Sequence, residues 1–185
     1  MKLQFDSSQE YQLDAVQAAI SVFEGQPLAK DDFQVTLATH QTGLAFTDTG
    51  VANNLLLSDD QLLENVRNVQ TTFNEKNRYT DEDGTERYFA RIEPSDILKT
   101  ATTEDGSELS RLNFTVEMET GTGKTYTYLR TIYELNKTYG FKKFVIVVPS
   151  IAMREGTVKN LEITHDHLQE LYGRPPINWL MYDSK

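Results

Sequence analysis

The sequence predicts an α/β fold built on a parallel sheet, with one helix ahead of it and an acidic α+β segment between the two. Three observations carry this expectation. From residue 113 onward, strand-like and helix-like stretches alternate in short order, which is the pattern of βαβ units. Residues 144–148, Phe-Val-Ile-Val-Val, form an unbroken β-branched run of the kind expected for a strand buried on both faces. Between a strand-like stretch at 114–118 and a helical one at 123–139 stands a loop with two glycines, Gly121 and Gly123.

Taken in order, residues 9–23 predict an amphipathic helix, with Ser7 or Ser8 as its N-cap and Gly25 just past its end. Tyr11, Leu13, Val16, Ala19, Ile20 and Phe23 supply its apolar face. Strand-like runs at 33–37 and 43–46 follow among Thr, Gly and Asp. Ser58 and Gln61 have the spacing of a capping box. Leu62, Leu63, Val66, Val69 and Phe73 then mark one face of a helix over about 59–76. The acidic turn at 81–84 precedes a strand-like stretch at 87–92, and the polar residues 99–109 predict a loop. In the last part, strands are expected at 114–118, 144–148 and 177–182. Helices are expected at 123–139, closed by Gly140, and at 152–172, with Thr164 as a candidate breaker.

The chain has 185 residues and a net charge of −10, with 38% hydrophobic residues and no cysteine. The absence of thiols removes disulfides, zinc–cysteine clusters and cysteine nucleophiles from consideration. Neither a long apolar run nor an apolar leader is present, so a soluble cytoplasmic protein is the expectation. The charge is uneven. Residues 1–110 hold 8 Lys/Arg against 20 Asp/Glu, whereas residues 111–185 hold 10 against 8. Bulk charge therefore gives no electrostatic reason to expect nucleic acid, and any such contact must come from local groups.

The chemistry concentrates at Thr120, Gly121, Thr122, Gly123, Lys124 and Thr125, which match G-x-x-x-x-G-K-[ST] except that Met118 stands at the first glycine. Glycines there allow a tight turn whose successive amides converge on phosphate oxygens, next to the positive end of a helix. Lys124 would neutralise the outer phosphates of a nucleotide, and the Thr125 hydroxyl would ligate Mg²⁺. The bland alternative, a flexible turn before a helix, does not explain the full spacing together with the flanking strand and helix.

The stretch METGTGKT resembles motif I of superfamily 2 helicases and translocases, and is most similar to that of type III restriction subunits. Tyr11-Gln12-x-x-Ala15-Val16 is similar to the Y-Q-x-x-A helix that opens such motors. Val147-Val-Pro149-Ser150, followed by Ala152-Met-Arg154-Glu-Gly156, resembles their motif Ia. The resemblance implies an incomplete RecA-like domain over 111–185, an adenine-recognition helix region over 1–25 and a family-specific acidic insertion over 26–110. It implies that Gln12 reads adenine, with Gln9 and Gln17 as secondary candidates, and that Pro149, Ser150 and Arg154 touch the DNA backbone. A strand end followed by a helix cap is the structural alternative for Ser150. It further implies double-stranded DNA and a methyltransferase (modification) subunit as partners, and an ATP-dependent endonuclease as the whole protein.

No catalytic Walker B pair is assigned within the sequence: Asp183 lacks the adjoining Glu, and the resemblance places D-E-x-H beyond residue 185. The 185 residues alone are accordingly expected to hydrolyse essentially no ATP. Asp81 and Asp83 are too few for a calcium loop, His165 and His167 read as solvated, and Tyr126, Tyr128 and Tyr133 read as packing residues behind the phosphate loop. Three rival readings stand beside this one: another superfamily 2 helicase or type I restriction motor, a small P-loop phosphotransferase, and a non-catalytic nucleotide-binding module.

Overall fold

A computed structural model describes residues 5–28, 53–76, 79–80, 82–87, 98–102, 106 and 108–182. Among these, four helices organise the core: α1 (Glu10–Ser21), α2 (Asp59–Lys76), α3 (Lys124–Tyr139) and α4 (Ile151–Leu171). The expected strands at 33–37 and 43–46 lie outside the described residues, as do residues 88–92.

The helix α3 is central, packing on α1 along one side and on α4 along another. Val16 and Ile20 of α1 meet Tyr139 and Phe141 at the far end of α3. Tyr126, Leu129 and Tyr133 bury themselves against Leu168 of α4. A third cluster joins Val22 to Leu62 and Val66 of α2. Spacings of three and four residues place these side chains on single helix faces, so each helix removes one stripe from water.

Several sequence expectations are met at atomic detail. The capping box forms, with the Ser58 amide donating to Gln61 Oε1 at 2.9 Å and the Gln61 amide to Ser58 Oγ at 3.3 Å. Gly140 closes α3 in the left-handed conformation at φ 72°. Tyr126 and Tyr133 are buried, and Tyr128 is half-buried.

Other expectations are corrected. The α1 helix is capped by neither serine: Ser8 turns back onto the Asp6 carboxylate, and Gln9 takes the cap position without a side-chain bond. Its buried stripe is Gln12, Val16 and Ile20, whereas Tyr11 and Leu13 are exposed. Thr164 does not break α4, because its hydroxyl donates to the Asn160 carbonyl at 2.7 Å and is satisfied inside the helix. The polar stretch 99–109 is not a loop but most of an antiparallel hairpin, β3 (Leu98–Thr102) with β4 (Glu108–Leu112), running from Leu98 opposite Leu112 to Thr102 opposite Glu108. Its turn carries Gly106 at φ 82°, after an Asp in the sequence. A shorter pair, β1 (Tyr79–Thr80) with β2 (Glu86–Arg87), brackets the acidic turn.

Among the described residues these two hairpins are the sheets present, and residues 114–118, 144–148 and 177–182 join no ladder. The run 144–148 is covered on one side only. Phe144 packs on the Val16–Ile20 cluster, while Val145 and Val147 are 88% and 86% exposed. This alternation is that of a half-buried strand rather than one buried on both faces. No described helix is long and apolar enough to cross a membrane.

Candidate functional site

The glycine loop is shaped by its backbone and tied down by its own side chains. Gly121 and Gly123 sit at φ 85° and 84°, a region that a residue with a Cβ enters only at a cost. Gly123 is also the N-cap of α3, so the helix begins at Lys124 and its first amides have no partners within the helix. Thr122 Oγ1 donates to the Glu119 carbonyl at 2.7 Å, and Lys124 Nζ donates to the same carbonyl at 2.6 Å. The ammonium therefore lies folded over the loop.

The buried Gln12 approaches from α1. Its Nε2 donates to the Thr122 carbonyl at 2.9 Å, across 110 residues of sequence. The approach is so close that a Cβ on Gly123 would stand 2.6 Å from that nitrogen. Gly123 is thus required twice, by its left-handed backbone and by the amide lying on it. Gln12 reaches this place because Val16 and Ile20, on the same stripe, dock α1 on α3. Its second amide hydrogen and its Oε1 remain for a ligand.

Loop and helix face an open cavity of about 630 Å³, within the range of nucleotide and drug-sized sites. Gln12, Thr120, Gly121, Gly123, Lys124 and Thr125 line it. A Cβ at Gly121 would meet nothing within 4 Å, so its backbone faces free space. Unpaired helix amides, an ammonium and a hydroxyl converging on one cavity suit a polyphosphate with its cation. The donor set for a metal is sparse: among the described residues no group of three or more His, Asp or Glu could hold one. A cation here would depend on Thr125, phosphate oxygens and water.

A further part of the wall comes from the segment before α1, which the sequence had not marked apart from Gln9. Phe5, Asp6 and Gln9 line the cavity there. Phe5 stacks on Tyr126 at 5.9 Å between centroids, with the planes 5° apart, and His167 closes a triangle of rings, 5.2 Å from Phe5 and 5.7 Å from Tyr126. Asp6 accepts from Gln9 Nε2 at 2.6 Å, and the hydrogen bonds it receives from Ser8 hold its carboxyl below the usual range. His167 is half-buried and shares a 2.9 Å hydrogen bond with the Tyr126 hydroxyl, rather than lying in solvent. Burial, then the nearby Arg130 charge, push its imidazole below the ordinary histidine range. His165 packs edge-on against Trp179 at 5.4 Å.

The remaining candidates fall elsewhere. Pro149, Ser150 and Arg154 do not line the cavity. Ser150 is the N-cap of α4, its hydroxyl accepting from the Met153 amide at 3.2 Å. Arg154 pairs with Glu155 at 3.2 Å, and its Nε is buried without a hydrogen-bond partner. Asp83 makes a local turn with the Thr85 amide at 2.9 Å, while Asp81 and Asp183 lie outside the described residues. Gln17 bonds Ser21 along its own exposed helix face.

Comparison with known proteins supplies the context. The family described as "Type III restriction enzyme, res subunit" matches residues 4–173. The chain is similar to the EcoP15I Res subunit of Escherichia coli and to the EcoPI Res subunit of Escherichia phage P1. Each is 49% identical over 61 residues, 32% of this chain and 6% of the relative. It is also similar to the StyLTI Res subunit of Salmonella typhimurium, 48% identical over 64 residues, 35% of this chain and 6% of that protein. The aligned stretch thus spans only a small part of each relative's length.

Proposed function

Because the chain belongs to the family of type III restriction enzyme Res subunits, we propose that it forms the ATP-binding front of an ATP-dependent DNA motor that acts in restriction. The observation that carries this is the Gln12 amide resting on the glycine loop in the lining of the same cavity. A glutamine so placed can read an adenine edge while the loop beside it takes the phosphates, which is what an ATPase of this kind needs at one site.

In this reading Thr120, Gly121, Thr122, Gly123, Lys124 and Thr125 bind the phosphate chain of ATP. Lys124 leaves the Glu119 carbonyl and turns its ammonium onto the outer phosphates. Thr125 supplies one oxygen to Mg²⁺, the divalent ion that, when bound, offsets charge on the transferring phosphoryl group. Gln12 keeps one N–H on Thr122 and presents its other N–H and its Oε1 to adenine. The segments 114–118, 144–148 and 177–182 are the strands of a RecA-like parallel sheet over 111–185. What supports this is the β-branched sequence of 144–148 and the alternation of strand-like and helical stretches, with Phe144 packed on the Val16–Ile20 cluster. Residues 1–25 are the adenine-recognition region and 26–110 an insertion.

Pro149, Ser150 and Arg154 are assigned to the backbone of double-stranded DNA, through the exposed start of α4. The acid pair that polarises water is assigned to sequence outside these 185 residues, so the chain alone turns over essentially no ATP. The modification (methyltransferase) subunit is the assigned partner and the cytoplasm the assigned compartment. Lys124→Ala in the intact protein tests the reading. DNA-stimulated ATP turnover should fall by at least about a hundredfold, because the charge is lost where phosphoryl charge develops. Unchanged turnover would overturn the assignment.

A further inference from the structure

We propose that Arg130 is a positioning residue that fixes the N-terminal wall of the nucleotide cavity, so that affinity for the base, and not for the phosphates, depends on it. This rests on the reading of the cavity as an ATP site.

Arg130 is buried on α3, at 8% exposure. Its Nη1 donates to the Ser7 carbonyl at 2.6 Å, a contact spanning 123 residues. Ser7 stands between Asp6 and Gln9, two of the wall residues. Its Nε donates to the Tyr172 hydroxyl at 3.2 Å, and that hydroxyl donates in turn to Glu134 Oε1 at 2.7 Å. The guanidinium is therefore oriented from behind by the end of α4 and points forward at the wall. A planar fork with fixed donors suits holding two acceptors in set directions.

The two halves of the cavity rest on different side-chain contacts and are joined through Gln9, whose carbonyl accepts from the Gln12 backbone amide at 3.1 Å at the start of α1. The phosphate loop is tied by Thr122 and Lys124 to Glu119, and by Gln12 to Thr122. The helix carrying Gln12 is docked by Val16 and Ile20 on Tyr139 and Phe141, at the other end of α3. None of these contacts uses Arg130. The wall at Phe5, Asp6 and Gln9 is held by Arg130, by the cluster of Phe5, Tyr126 and His167, and by the bond from Gln9 to Asp6. Removing the guanidinium should loosen the wall and leave the loop as it is. Because Arg130 is buried, methionine is the substitution of choice at this position: it keeps an unbranched stem while removing the donors.

The test is calorimetric titration of the intact protein, in the presence of Mg²⁺, with ATP and separately with inorganic tripolyphosphate, which has the phosphates and no base. Arg130→Met should weaken ATP by about tenfold, the loss expected from one charge-assisted contact. It should leave tripolyphosphate within about twofold of wild type. Arg130→Lys, which keeps one donor but not the fork, should fall between; it carries the same test if the methionine variant does not fold. Lys124→Ala should weaken both ligands. Equal losses for the two ligands in the Arg130 variants, or no loss for either, overturn the proposal. If the wild-type protein binds ATP no better than tripolyphosphate, the ATP reading itself fails and Arg130's role falls with it. That result is distinct, because it appears before any substitution is made.

Discussion

The sharpest physical test of the loop concerns Gly123→Ala. At φ 84° an alanine pays for a left-handed backbone, about 1–2 kcal/mol. Its Cβ would also sit 2.6 Å from Gln12 Nε2, closer than carbon and nitrogen can approach without bonding. The amide has to swing away, breaking its 2.9 Å bond to the Thr122 carbonyl, a loss of about 1 kcal/mol, and more if the buried amide finds no new partner. The expected total is about 2–4 kcal/mol. Gly121→Ala supplies the control: the same left-handed backbone at φ 85°, but no atom within 4 Å of the new Cβ. It should cost only the backbone part, about 1–2 kcal/mol. Adding Gln12→Ala removes the obstacle, so Gly123→Ala in that background should fall to the Gly121→Ala value. Urea denaturation followed by circular dichroism measures the stabilities of wild type and variants, and the cycle of Gly123→Ala with Gln12→Ala should show a coupling of about 1–2 kcal/mol. Equal costs at the two glycines, with additivity to Gln12→Ala within about 0.5 kcal/mol, would refute the claim that Gln12 lies on the loop.

Two further outcomes concern α4. Ser150→Ala should cost about 1 kcal/mol in the same denaturation, since it strips the oxygen that accepts the Met153 amide, whereas Ser150→Asp should restore the cap. If alanine has no effect, the hydroxyl is not the cap. The second outcome is a pH dependence from His167. Burial and Arg130 lower its folded-state pKa beneath the ordinary 6.5, so over that window the unfolded chain binds the proton more readily than the folded one. Stability should therefore fall as pH drops below about 6.5 and continue falling until the folded imidazole protonates. His167→Gln, which keeps a partner for the Tyr126 hydroxyl, should have a flatter Tm profile between about pH 7.5 and about pH 5.5. An identical slope in the variant would remove His167 as its source.

The helices were legible because local rules and long-range packing agreed on them. Ser58 and Gln61 announce α2, and Leu62 and Val66 then meet a core that accepts them. Where the two levels disagree, the sequence misleads. Tyr11 and Leu13 look like core residues on α1, yet a polar glutamine takes the buried stripe because the loop carbonyl needs its amide. Residues 99–109 look polar enough for a loop, but backbone pairing of Leu98–Thr102 with Glu108–Leu112 makes a hairpin without an apolar pattern. Strand propensity at 144–148 supplies extended backbone and one packed side, but propensity cannot supply the neighbouring strand that a ladder requires.

The site divides along the same line. Its phosphate half is written in consecutive residues, 118–125, because a tight loop leading into a helix needs glycine, lysine and threonine at fixed offsets along one stretch of chain. Its other half is assembled from parts far apart in sequence: Phe5 on Tyr126, Ser7 on Arg130, Gln12 on Thr122. Nothing in the local pattern around Arg130 distinguishes a cavity strut from an ordinary arginine on an amphipathic helix. What distinguishes it is burial beside a carbonyl from a segment 123 residues away, with a tyrosine and a carboxylate behind it. A buried cation is expensive unless its donors are used, so its presence on α3 already implies acceptors that the helix itself cannot provide. One of those acceptors, the Ser7 carbonyl, lies between wall residues of the cavity, and that is why the helix that opens with the phosphate-binding lysine also fixes the segment before α1.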